Sequence, residues 1–242
     1  MSLCRLFLVL FFLTVCGFFK NIWAFEIQNE FDFMQSENCA EVCIYQGEKT
    51  KPLFPILNEW IVSRYIEFPF LYVAQEETPP THLLAENPDA FVLFAEEKDK
   101  KVGMLIASPL DASFLLDVKY SPLSKLEEIE EKGFDPKKIL YVHGFLVAHE
   151  KRGDFELINR IYQTAVHLAK EMGKTHICYF TTLREENHPL KPSPYIPLEP
   201  FEDLPTPFES MDITFKLTWP TLQADGSVIS CENLQALFIQ KL

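Results

Sequence analysis

The sequence predicts a mixed α/β fold, one sheet of parallel and antiparallel strands flanked by helices. Three observations carry this. An apolar run over residues 139–148, an amphipathic stretch over 154–172 and a second apolar run over 176–182 have the spacing of a strand, a crossover helix and a parallel strand. Residues 91–95 and 102–107 flank the charged segment Glu-Glu-Lys-Asp-Lys-Lys, the pattern of a hairpin with a solvated tip. Residues 212–219 and 233–241 are two further strand-like runs, joined through an Ala-Asp-Gly turn at 224–226.

In chain order, residues 1–24 form a signal peptide or an N-terminal membrane anchor. Arg5 precedes an apolar run over 6–19, Lys20 closes it, and Ala24 offers a small residue for cleavage. The run has the length of a signal-peptide core and is short for a spanning helix, and it is the segment through which the chain would associate with a membrane. Leu13-Thr14-Val15-Cys16 faintly resembles a lipoprotein box, with Val15 where a small residue is wanted. Residues 25–52 are polar and acidic, with 41–45 the best strand within them. Residues 53–242 then make up the folded domain. Four cysteines remain beyond residue 24, and the spacing of Cys39 and Cys43 suits a disulfide better than a metal site, because no histidine accompanies them.

Over 53–65, Leu57, Trp60, Ile61 and Tyr65 keep helical spacing until Pro69 stops it. The aromatic residues Tyr65, Phe68, Phe70 and Tyr72 read either as core or as the wall of a substrate cleft. Gly103, inside the second hairpin strand, predicts a bulge or a close backbone contact. Residues 121–132 give a short acidic helix that Gly133 stops. In the crossover helix, apolar residues at 158, 161, 162, 165, 168, 169 and 172 follow the i, i+3, i+4 rule; Asp154 suits the N-cap and Gly173 the C′ position. Eight prolines between 189 and 220 exclude a regular helix over 189–207.

With 242 residues and 48% hydrophobic content the chain can bury one large core or two small ones. The formal charge of −13 excludes a basic nucleic-acid footprint, and loss of residues 1–24 with Arg5 and Lys20 would take it to −15.

The strand, then Glu-Lys-Arg-Gly at 150–153, then a long helix closed by Met-Gly-Lys resembles the core of the GNAT N-acetyltransferases. So do Phe-Pro-Phe-Leu-Tyr at 68–72, the 91–110 hairpin, Gly-Phe-Asp-Pro at 133–136, His188-Pro189 and Phe-Lys-Leu-Thr-Trp at 215–219, which follow the order of a bacterial subfamily over roughly residues 55–242. The resemblance implies a GNAT-like acyl-CoA N-acyltransferase fold and acetyl-CoA as donor. It implies cofactor contacts along Val147, Arg152, Gly153, Asp154, Phe155 and Leu157, where helix-terminal amides would approach a pyrophosphate. This chain departs from the pattern at two points. Phe155 and Leu157 stand where small residues are usual and would obstruct that approach, and Gly144 stands where a glutamate base is expected. His143 and His149 are nearby candidates for the base, with strand alternation placing His143 and Gly144 on opposite faces, and Tyr195 is a remote candidate for the acid that protonates the leaving thiolate. The reading is an N-acetyltransferase acting on a small-molecule or protein amine through a degenerate cofactor site; the alternative is a non-catalytic exported binding protein. Export would separate the chain from acetyl-CoA, a cytosolic metabolite; without a functional signal it would be cytoplasmic.

Overall fold

The computed structural model describes residues 40–67, 69–73, 84–112, 125–185, 187–191 and 208–242. The chain divides into two compact units, residues 1–41 and 42–242, and the fold below is that of the second. The N-terminal run, Cys39, Phe68 and Tyr195 lie outside the described residues.

Among the described residues seven strands make one sheet, β1 (Glu41–Gln46), β2 (Phe91–Glu97), β3 (Lys100–Pro109), β4 (Ile139–Val147), β5 (His176–Thr182), β6 (Glu209–Leu222) and β7 (Val228–Lys241), in the order β1-β2-β3-β4-β5-β7-β6. The sheet is mixed as expected: β4 and β5 pair in parallel, while β2–β3, β3–β4, β5–β7 and β6–β7 are antiparallel. It begins inside the acidic N-terminal segment, and its last two strands are longer than their apolar patterns suggest. Their extra residues are mostly exposed or half-buried and are held by the ladder itself, which runs on from Trp219–Cys231 to Leu222–Val228 beyond the strongly apolar stretch. In the turn between them Asp225 accepts from the Ser227 amide at 2.9 Å, and Gly226 adopts φ 84°.

Among the described residues three α-helices flank the sheet: α1 (Phe54–Tyr65), α2 (Leu126–Glu131) and α3 (Phe155–Glu171). Residues 121–124 are not described, so the acidic helix is seen from Leu126 onward. Both α2 and α3 end by the same device. Gly133 and Gly173 take positive φ, their amides bond back to Glu130 and Lys170, and the next amides bond to Ile129 and Ala169, the paired bonds of a Schellman motif. Asp154 caps α3 by accepting from the Leu157 amide at 3.0 Å. One face of the sheet carries Val92, Phe94, Met104 and Ile106 under Leu57 of α1, and Ile139, Tyr141, Cys178 and Leu237 with Ile129 of α2. The other face receives Leu157, Ile158, Ile161, Tyr162, Ala165 and Ala169 of α3; of the set its period predicts, Leu168 and Met172 are only half-buried, and Leu157 is added.

Gly103 shows both features expected of it. The β2–β3 register shifts beside it, and a Cβ there would stand 2.4 Å from Cδ1 of Ile161 on α3. Gly103→Ala is therefore expected to destabilise the fold by about 1–3 kcal/mol through overpacking. Ile161→Val removes that same Cδ1 atom. In a denaturant double-mutant cycle the Gly103→Ala penalty should largely vanish in the Ile161→Val background, whereas additive losses would place the clash elsewhere.

Candidate functional site

The site arises where β4 and β5 part. They pair from Ile139–His176 to Val142–Tyr179. Beyond that point β4 continues beside β3 as far as Val147–Gly103, while β5 continues beside β7 as far as Thr182–Gln235. Among the described residues no strand fills the gap between their facing edges, which lies at the carboxyl ends of a parallel pair, the place where open α/β sheets hold ligands. An open-sided cleft with about 60 Å³ of internal space occupies the gap. Its walls include Val142, Gly144 and Phe145 of β4, Tyr179 and Phe180 of β5, Tyr162 of α3, and Tyr65, Phe70 and Phe208. Thus Tyr65 and Phe70 line the cleft, whereas Tyr72 packs against Trp219 with ring centroids 6.3 Å apart.

A bulge shapes β4 here. Ile106 faces Gly144 and Ala107 faces Val142, so His143 is the extra residue and the alternation expected to separate His143 from Gly144 is interrupted at this point. The His143 ring lies edge-on to Tyr141 at 4.5 Å, and its Nε2 lies 2.7 Å from Ser108 Oγ. Desolvation holds this imidazole down to about 3, so it is neutral at physiological pH. The unfolded ring takes a proton near pH 6.5 and the folded ring does not, so this contribution to stability is complete above pH 6.5 and is lost as pH falls towards 3. Urea unfolding between pH 6.5 and 4 should show a steeper loss in the wild type than in His143→Gln, by up to about 1.4 kcal/mol per pH unit. Parallel pH profiles would mean that the folded ring titrates normally.

At Gly144 the glutamate's place is taken by another side chain. Tyr65 donates its hydroxyl to the His143 carbonyl at 2.9 Å, and a Cβ on Gly144 would lie 2.9 Å from that hydroxyl. Burial pushes the Tyr65 phenol up to about 12, which keeps it a donor. Arg184 holds the segment after Tyr65 in position, donating to the carbonyls of Pro69 at 2.8 Å and Phe70 at 3.0 Å and to Asn233 Oδ1 at 2.7 Å.

The turn from β4 to α3 is a 3-10 helix over His149–Lys151, followed by Arg152 and by Gly153 at φ 87°. Arg152 is ion-paired with Glu67, Lys151 with Glu97 at 2.5 Å, and Glu150 with Lys100. The Lys100 hydrogen bond lowers the Glu150 carboxyl, and the Glu97 bond raises the Lys151 ammonium. The Asp154 amide bonds to the Lys151 carbonyl, the Phe155 amide to that of Gly153, and the Leu157 amide to the Asp154 side chain. Phe155 is 52% exposed and Leu157 2% exposed. The expectation that both side chains obstruct the turn is therefore corrected: Leu157 points into the core, and Phe155 alone stands outside. Tested against acetyl-CoA, the two halves of the site differ. The parted strand edges suit an extended, amide-bearing arm, but Lys151, Arg152 and the Asp154, Phe155 and Leu157 amides are already engaged, so the turn does not fit a pyrophosphate.

Sequence reasoning missed Ser108, Glu67, Tyr162 and Phe208. Ser108 reaches His143 through the bulge, and Glu67 reaches Arg152 across 85 residues, so neither had a local signal. Among the described residues no group of three His, Cys, Asp or Glu could hold a metal ion, and no helix is long and apolar enough to cross a membrane.

Fold and site together define an α/β protein with a small, aromatic-lined cleft at a splayed parallel strand pair. No protein-family model matches the chain, and no curated protein matches it by sequence. Among solved structures it is similar to the ribosomal-protein-alanine N-acetyltransferase from Brucella melitensis, at 16% identity and TM-score 0.49, covering 83% of this chain and 99% of that one. It is also similar to the Drosophila melanogaster polyamine N-acetyltransferase, at 14% identity and TM-score 0.45, covering 84% of this chain and 100% of that one.

Proposed function

We propose that this chain is a divergent GNAT-type N-acyltransferase that seats an acyl thioester between β4 and β5 and passes the acyl group to an amine. The observation that carries this reading is the parting of β4 and β5 after Val142–Tyr179, which opens the sheet beside an aromatic cleft. Val147 and the β4 edge lie along the donor arm. Arg152, Gly153, Asp154 and Phe155 form the rim, with Arg152 available to a ligand only when Glu67 lets it go, and Leu157 supports the rim from the core. His143, neutral and held by Ser108, shapes the bulge rather than serving as base. Transfer therefore relies on holding amine and thioester in reacting geometry. Tyr195 is kept as a candidate acid. The acceptor is a small-molecule or protein amine, and the N-terminal run associates the chain with a membrane.

Calorimetry with a panel of acyl-CoA thioesters, followed by measurement of free thiol released with a mixture of amines, tests the proposal. Saturable binding with amine-dependent thiol release is expected. Binding without release would leave a ligand-binding protein built on this fold, and absence of any binding would remove the reading.

A further inference from the structure

We infer that the cleft between β4 and β5 seats an apolar acyl chain longer than acetyl, and that the donor is read through this chain rather than through its nucleotide. The inference rests on the acyltransferase reading and deepens it. Among the described residues that line the cleft, none carries a carboxylate, ammonium or guanidinium group. Its polar atoms are largely turned to the protein itself. The Tyr65 hydroxyl donates to the His143 carbonyl, the Tyr162 hydroxyl bonds to Gln240, and His143 Nε2 contacts Ser108 Oγ. The walls are therefore largely aromatic, with Phe70, Phe145, Tyr179 and Phe180 among them. A charged group entering there would lose its water without gaining a partner, whereas an uncharged chain gains by burying its surface.

The nucleotide end argues the same way from separate residues. At the N-terminus of α3 the Leu157 amide is taken by Asp154, Arg152 by Glu67 and Lys151 by Glu97. A pyrophosphate would have to break these contacts and approach Glu150, Asp154 and Glu156. It gains little that the protein does not already supply to itself.

The test is isothermal titration of the full chain with four defined probes: acetyl-CoA, octanoyl-CoA, S-acetyl-pantetheine and S-octanoyl-pantetheine. Each buried methylene tightens binding by up to about fourfold, the equivalent of ~0.8 kcal/mol. Octanoyl-CoA is therefore expected to bind at least a hundredfold more tightly than acetyl-CoA even with the chain partly buried. Octanoyl-pantetheine should match octanoyl-CoA within about threefold. Acetyl-CoA binding as tightly as octanoyl-CoA would overturn the chain-reading inference while leaving the acyltransferase reading intact. Octanoyl-CoA far exceeding octanoyl-pantetheine would show that the nucleotide is read and would likewise overturn it. If none of the four binds, both readings go.

Discussion

Leu157→Gly is expected to lower the unfolding free energy by about 4 kcal/mol, and Phe155→Gly by no more than about 1 kcal/mol. Only Glu156 separates the two residues in sequence, yet their surroundings are opposite. Leu157 is 2% exposed within the α3 face that packs on the sheet, so its removal leaves a cavity costing ~2–5 kcal/mol, with ~1 kcal/mol more for glycine in a helix. Phe155 is the first residue of α3 and 52% exposed, so little packing is lost with it. Neither change alters the bond from the Leu157 amide to Asp154 directly, and that bond, more than either side chain, closes the helix end. Asp154→Ala would free the amide at a cost of about 1 kcal/mol for the lost cap. Denaturant titration of the two glycine variants separates the cases, and equal losses would contradict the burial of Leu157.

What the sequence made legible was the part of the fold set by local rules. The 3.6-residue period of α3, its Asp154 cap and its Gly173 stop all sit where pattern reading places them, because each depends on residues within one turn. The hairpin of β2 and β3 and the parallel β4–β5 unit follow from runs of apolar residues and the length of the crossover. The site was less legible for a physical reason. A single inserted residue at His143 shifts the β3–β4 register, and nothing in a one-strand pattern announces it. Tyr65 was visible as an aromatic residue at helical spacing, but its contact with the β4 backbone joins residues 78 positions apart. The ion pairs at the turn were likewise hidden: Glu97 and Glu67 come from β2 and from the segment after α1, so the cations Lys151 and Arg152 looked more available than they are.

Restoring a carboxylate at the position where the resemblance expects one is predicted to damage the fold. Gly144→Glu should cost about 3 kcal/mol or more, because its Cβ would stand 2.9 Å from the Tyr65 hydroxyl and its carboxylate would enter an apolar cleft. The cause can be isolated with the smallest side chain. Gly144→Ala alone is expected to cost about 1–3 kcal/mol, the range for overpacking. Tyr65→Phe removes the hydroxyl and with it the bond to the His143 carbonyl, at about 1 kcal/mol. The ring carbon that bore it would still lie 4.0 Å from the new Cβ, an ordinary contact. In the Tyr65→Phe background Gly144→Ala should therefore be nearly neutral, or stabilising by ~0.5–1 kcal/mol, since alanine loses less backbone freedom than glycine in a strand. The cycle then gives a coupling of roughly 2 kcal/mol between residues on α1 and β4. Strict additivity would mean that Tyr65 does not press on Gly144, and the absence of glutamate there would need another cause.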